Sequence, residues 1–78
     1  MAEAATLRLD VRDMLCAQAL AAVDRACAPL AVGTSLEIVC NAADVRDDLL
    51  VWAREMGHPV MKTADDAGET HLWMTKGR

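Results

Sequence analysis

Residues 6–11, TLRLDV, alternate, with Leu7, Leu9 and Val11 on one side and Arg8 and Asp10 on the other. A period of two marks a strand with one buried face. From residue 14 the period lengthens. Cys16, Leu20, Val23, Cys27 and Leu30 recur every three or four positions, the apolar stripe of an amphipathic helix. The pattern predicts a helix over 14–30, with Asp13 as its cap, alanines supporting its interior, Pro29 closing its last turns and Gly33 marking the exit. Residues 35–41, SLEIVCN, alternate again, setting Leu36, Ile38 and Cys40 against Glu37, Val39 and Asn41. A second helix is predicted over 43–56, with Val45, Leu49, Trp52 and Met56 as its stripe and Asp44 as its cap. Asp47 and Asp48 suit its positive N-terminal half, and Gly57 suits the left-handed residue at its end. Residues 59–64 read as a third strand with Pro59 at its start, DDAG (65–68) as a turn, and 70–76 as a fourth strand.

The order strand, helix, strand, helix, strand, strand restricts the topology. A strand–helix–strand unit favours a right-handed parallel crossover, and a short turn favours an antiparallel hairpin. The expected fold is therefore α+β: a βαβαββ two-layer sandwich with both helices on one face of a mixed four-stranded sheet.

Composition narrows the class. A chain of 78 residues supports one domain, expected to span 1–78 with 1–5 as a disordered tail, and a domain this short buries about 60% of its unfolded surface. Hydrophobic residues make up 54%, enough for a folded core. Eight Lys and Arg against twelve Asp and Glu give a net charge of −4, and the basic residues form no stripe, which disfavours nucleic acid as the ligand. The two tryptophans, without Phe or Tyr, provide no stacking platform for single strands. Three cysteines, none at C-x-x-C spacing, suit neither a disulfide framework nor a zinc site. No cofactor or metal is expected. No stretch resembles a signal peptide or a membrane span, so the expected setting is soluble, reducing and cytoplasmic, without a membrane partner.

The candidate chemistry lies in VRDMLCAQAL, residues 11–20. With Asp13 as cap, Cys16 is the third residue of a helix, close to free amide groups and the positive end of the dipole, where thiolates are favoured. Arg12 adds to this and Asp13 opposes it, so the balance has no sign from sequence. Cys16 also continues the apolar stripe, which leaves open a plain core role. Cys27 and Cys40 lie mid-element on inward faces and read as core.

LDVRDMLC resembles the opening of the TusA/SirA-like sulfur-carrier family, whose motif runs L-D-x-R-G-x-x-C-P-x-P; Leu9, Asp10, Arg12 and Cys16 match it. Asp48, Leu49, Trp52, Gly57 and His58 match the acid, aliphatic, Trp and Gly-His of the family's second half. The resemblance covers about residues 7–76 and implies the same βαβαββ sandwich. Ala17 and Ala19 replace both prolines of the box, Asp13 replaces its glycine, and Ala42 and Ala43 replace an Asp-Pro pair before the second helix. The resemblance implies a sulfur relay in which Cys16 is the catalytic residue, accepting and passing a persulfide, with Asp10 and Arg12 in support. It also implies protein partners: a donor such as a cysteine desulfurase or rhodanese, and an acceptor protein. Donor, acceptor, pathway and oligomeric state stay open.

Around this site, Asp10 and Arg12 also read as a solvated ion pair. His58 reads as a surface histidine at the helix exit, Trp52 as core, and Trp73, beside His71 on the helix-free sheet face, as an exposed patch for a partner. Two functions remain: a sulfur carrier acting through Cys16, or a non-catalytic module of the same fold that binds proteins through the open sheet face.

Overall fold

The computed structural model describes residues 7–78. The expected tail over 1–5, and Thr6 at the start of the first predicted strand, lie outside the described residues. The elements follow the expected order: β1 (Leu7–Asp10), α1 (Cys16–Cys27), β2 (Ser35–Cys40), α2 (Ala43–Glu55), β3 (Val60–Asp66) and β4 (Glu69–Thr75). The sheet runs β1-β2-β4-β3, with β1 parallel to β2 and the other pairs antiparallel. Ala19, Val23 and Cys27 of α1 and Val45, Leu49 and Ala53 of α2 share one core with Leu36, Ile38, Cys40, Leu72 and Met74 of the sheet. Both helices therefore cover the same sheet face.

Alternation explains the strands. Leu36, Ile38 and Cys40 are buried as their shared face requires, and they stand beside Met74, Leu72 and Thr70 of β4. Burying a side chain of Leu or Ile size contributes about 1.5–3 kcal/mol. Val39 is also fully buried, although it lies on the opposite face. It sits in register between Asp10 of β1 and His71 of β4. The side chain of Arg12 joins Asp10 to Glu69 across this central strand.

The helix ends differ from expectation in informative ways. Asp13 does not cap α1. Leu15 is the N-cap, extended at φ −73° and ψ 159°, and Cys16 is the first helical residue. The Leu15 amide is held by Gln18 Oε1 at 3.0 Å, so the third helical residue supplies the cap. Asp44 is not the cap of α2 either; that place belongs to Ala42, and Asp44 lies in the first turn. The end of α1 is held by Lys76, whose Nζ donates to the carbonyls of Cys27 (2.8 Å) and Ala28 (3.3 Å). Gly57 ends α2 in the left-handed conformation, as its position predicts.

Further departures lie at the edge of the core and in the hairpin. Ala53 takes the buried place on α2, Met56 at the end of the stripe is exposed, and Trp52 is half-buried at the edge of the core. The hairpin is tighter than DDAG suggests, because Asp65 and Asp66 belong to β3. Only Ala67 and Gly68 form the turn, both with positive φ, as a two-residue hairpin loop requires.

Candidate functional site

In a βαβ unit with parallel strands, both helices that follow those strands start at the same edge of the sheet. The β1–α1 connection (11–15) and the β2–α2 connection (41–42) therefore lie together, and ligands in open α/β sheets bind at this carboxyl end of the strands. Cys16 starts one helix here, and Asp44, Asp47 and Asp48 sit near the start of the other.

The path into Cys16 is tightly specified. Val11 is buried and donates its amide to the Val39 carbonyl at 2.9 Å, extending the β1–β2 pairing by one residue. Arg12 turns back on Asp10, and Asp13 adopts φ 65°, a left-handed conformation that costs free energy for any residue with a Cβ. A glycine there would adopt it freely, which is the physical sense of the glycine that the family motif carries. Asp13 is held by Asn41: its amide donates to Asn41 Oδ1 at 3.0 Å, and Asn41 Nδ2 donates to Asp13 Oδ1 at 2.9 Å.

Cys16 is half-buried, whereas Cys27 and Cys40 are buried in the core, and all three are free thiols. The Cys16 thiol donates to Asp44 Oδ2 at 3.7 Å. The carboxylate of Asp48, desolvation and the negative charge of Asp44 push its pKa up to about 11. The sign left open by the sequence is therefore set by the first turns of α2, and it favours the thiol. Burial also raises the pKa of Cys27 and Cys40.

Asp10 and Arg12 form the expected ion pair, with Arg12 Nη2 2.6 Å from Asp10 Oδ2. The guanidinium holds the Asp10 carboxyl down at about 2. Arg12 also binds Glu69, so both of its contacts lie on the sheet's helix-free face and not at the thiol. His71 continues this row, hydrogen-bonded to Glu37 at 2.8 Å and 3.6 Å from Glu69. Trp73 stacks on His71, with Lys62 Nζ 4.9 Å from the indole centroid. Trp73 is thus half-buried among charged neighbours, not an exposed apolar patch.

His58 is 5% exposed, not the expected surface histidine. Its Nδ1 accepts the Gly77 amide at 3.0 Å, and its ring lies 5.6 Å from that of Trp52. It follows the C-terminal end of α2, whereas Cys16 meets α2 at its start, through Asp44.

The sequence reading located Cys16 but missed Asp44 and Asp48 as its neighbours, and Asn41 and Gln18 as the side chains that hold its turn. The signal for the acids was present, because parallel β1 and β2 must place the two helix starts side by side.

The model of the family described as sulfurtransferase TusA matches residues 7–76. The chain belongs to this family. A relative from Bacillus subtilis (strain 168), named "Putative sulfur carrier protein YrkI", is 25% identical over 69 residues, covering 88% of this chain and 92% of its own. The match extends from β1 to the residue after β4, so the family unit and the observed sandwich coincide. Membership supports a sulfur-carrier role. No helix among the described residues is long and apolar enough to cross a membrane.

Proposed function

We propose that this chain carries sulfane sulfur as a persulfide on Cys16 within a relay between proteins. The observation that carries the reading is a half-exposed free thiol on the first residue of a helix, at the cysteine position of the family motif. In the transfer, the Cys16 thiolate attacks the terminal sulfur of a donor persulfide. The donor S–S bond breaks, the donor leaves as a thiolate, and Cys16 becomes the persulfide. A second thiolate on the acceptor reverses these roles, so the exchange needs no external oxidant. No resolving cysteine is needed, and the other two thiols are buried away from solvent.

Leu15, next to the thiol, is 73% exposed and offers an apolar contact. A cysteine desulfurase or rhodanese-like protein fits as donor, and a protein thiol fits as acceptor. A reducing cytoplasm is the compartment consistent with three free thiols. The described residues 7–78 are read as one domain.

A second reading, a non-catalytic protein-binding module, is favoured by one observation: the carboxylates that hold the Cys16 thiol protonated. One experiment separates the two. The protein is incubated with a sulfane donor or a persulfide-charged sulfurtransferase and analysed by mass spectrometry. The carrier gains one sulfur atom, mapped to Cys16 and absent from Cys16→Ser. Failure to gain sulfur from several competent donors leaves the binding module.

A further inference from the structure

The turn that presents Cys16 is held by a residue from a different connection. Asp13 lies three residues before the thiol, in the β1–α1 connection; Asn41 lies in the β2–α2 connection, three residues before Asp44. The two residues are joined by reciprocal hydrogen bonds of 3.0 and 2.9 Å. The helices that follow these connections meet where the Cys16 thiol donates to Asp44 at 3.7 Å. The first link is a pair of hydrogen bonds of ordinary length and the second a single long sulfur contact, so the first is the stronger.

We propose that Asn41 is a positioning residue for Cys16: its side-chain clasp on Asp13 fixes the turn before α1 and so fixes the distance between the thiol and Asp44.

The chemistry of the amide explains the choice of residue. Asn has an acceptor and a donor on one planar group, so it satisfies the Asp13 amide and the Asp13 carboxylate together. An aspartate of the same shape can accept but not donate, and it faces the Asp13 carboxylate with like charge. The clasp is needed because Asp13 occupies a left-handed conformation that glycine would adopt unaided. The chain thus replaces a glycine turn, intrinsically free, with a side-chain turn held from outside. With the clasp open, the turn swings and Sγ spends less time against Asp44 and Asp48. The carboxylates then hold the proton on sulfur less strongly, and the thiol becomes a better nucleophile toward small reagents while losing its fixed pose toward a partner.

The purpose of this positioning rests on the sulfur-carrier reading, but its test reads the thiol itself. The pH–rate profile of iodoacetamide alkylation at Cys16, located by mass spectrometry, is measured in the full chain alongside urea denaturation. Asn41→Ala moves the midpoint down from about 11, raising the rate at pH 8 by roughly fourfold. In an Asp13→Gly background, where no clasp is needed, Asn41→Ala changes that rate by less than about twofold, a non-additivity expected only if the two residues act through one turn. A wild-type profile in Asn41→Ala overturns the proposal, as does an equal shift in the Asp13→Gly background. Should Asn41→Ala fail to fold, a folded Asp13→Gly/Asn41→Ala with the profile of Asp13→Gly supports it, and an unfolded one overturns it. Failure of the wild type to take up sulfur removes the carrier reading and leaves this profile as the test of the clasp.

Discussion

The helical layer has two ends, and each holds a titratable side chain in its neutral form by opposite means. At one end Cys16 faces Asp44 and Asp48, and negative charge raises its pKa. At the other, His58 is enclosed beside Trp52; burial, with Lys76 and Arg78, lowers its pKa. The difference lies in how each state is maintained. His58 is sealed and its Nδ1 is satisfied by the Gly77 amide, so its neutrality belongs to the packing. Cys16 is half-exposed, and both carboxylates that restrain it are themselves exposed. A partner surface can alter the second state without disturbing the fold, but not the first.

The strongest way to break the comparison acts on the Cys16 end. Ala19 is fully buried, and its amide donates to the Leu15 carbonyl at 2.9 Å, the first intrahelical bond of α1. Ala19→Pro, which restores one proline of the family box, removes that bond and sets the ring against the same carbonyl. A loss of about 3 kcal/mol is expected, read from urea denaturation. A loss below about 1 kcal/mol would mean that α1 starts elsewhere in solution.

The His58 end is next. His58→Ala removes the ring beside Trp52 and the acceptor of the Gly77 amide, at an expected cost of about 2 kcal/mol. The same residue makes stability depend on pH. Its folded pKa lies below the ordinary value of 6.5, so below about that pH the unfolded chain takes up a proton that the folded chain resists. His58 therefore stabilises the fold fully above about pH 6.5, and its contribution falls as the pH drops toward the lower folded value. The wild type should lose stability between about pH 7 and 5 relative to a His58→Gln variant. Parallel pH curves for the two would show that the histidine is not enclosed.

The sequence carried unequal amounts of these two ends. Alternation at 6–11 and 35–41 identified the strands because a one-sided core imposes a period of two, and the stripe through Val23 and Cys27 identified α1 for the corresponding reason. The start of α1 was misread because its cap is made by a backbone amide and Gln18, not by a polar residue at the cap itself; Asp13, the residue that looked like a cap, is engaged by Asn41. His58 was misread because Gly-His-Pro has the composition of an exposed exit, and nothing local reports that residues near the C-terminus return to cover it. The restraint on Cys16 required reading topology together with composition: parallel strands bring the acid-rich start of α2 to the start of α1.

A smaller and sharper effect tests that restraint directly. Asp44→Asn with Asp48→Asn removes both charges while keeping the side-chain shapes, so the Cys16 titration midpoint should fall from about 11 toward the ordinary thiol value of 9.0. Alkylation at about pH 8 should rise by roughly tenfold, because gain in thiolate fraction outweighs the lower nucleophilicity of a more acidic thiol. Cys27 and Cys40, restrained by burial, should stay slow to react in the folded variant. An unchanged midpoint would mean that the carboxylates point away from the sulfur in solution.

The smallest expected effect on stability comes from Ala17→Pro, and it reveals the most about how the Cys16 end is built. Ala17 is exposed and follows Cys16, so its amide belongs to the first turn, where a missing N–H costs no intrahelical bond. A proline, however, disfavours helical geometry in the residue before it. Cys16, now the first helical residue, would be driven to the extended conformation of a cap, and the introduced proline would take the first helical place that prolines favour. The helix would then start one residue later. Stability should change by less than about 1 kcal/mol, while the thiol rotates relative to Asp44 and its midpoint falls. The shift also makes a prediction about the second proline. Once α1 starts at residue 17, the amide of residue 19 becomes one of the unpaired amides of the first turn, and a proline there no longer breaks a bond. Ala17→Pro/Ala19→Pro should therefore be more stable than Ala19→Pro alone. If the double variant is instead as unstable as the sum of the single changes, the helix start is fixed by the Asp13–Asn41 turn and not by the residues that follow the cysteine.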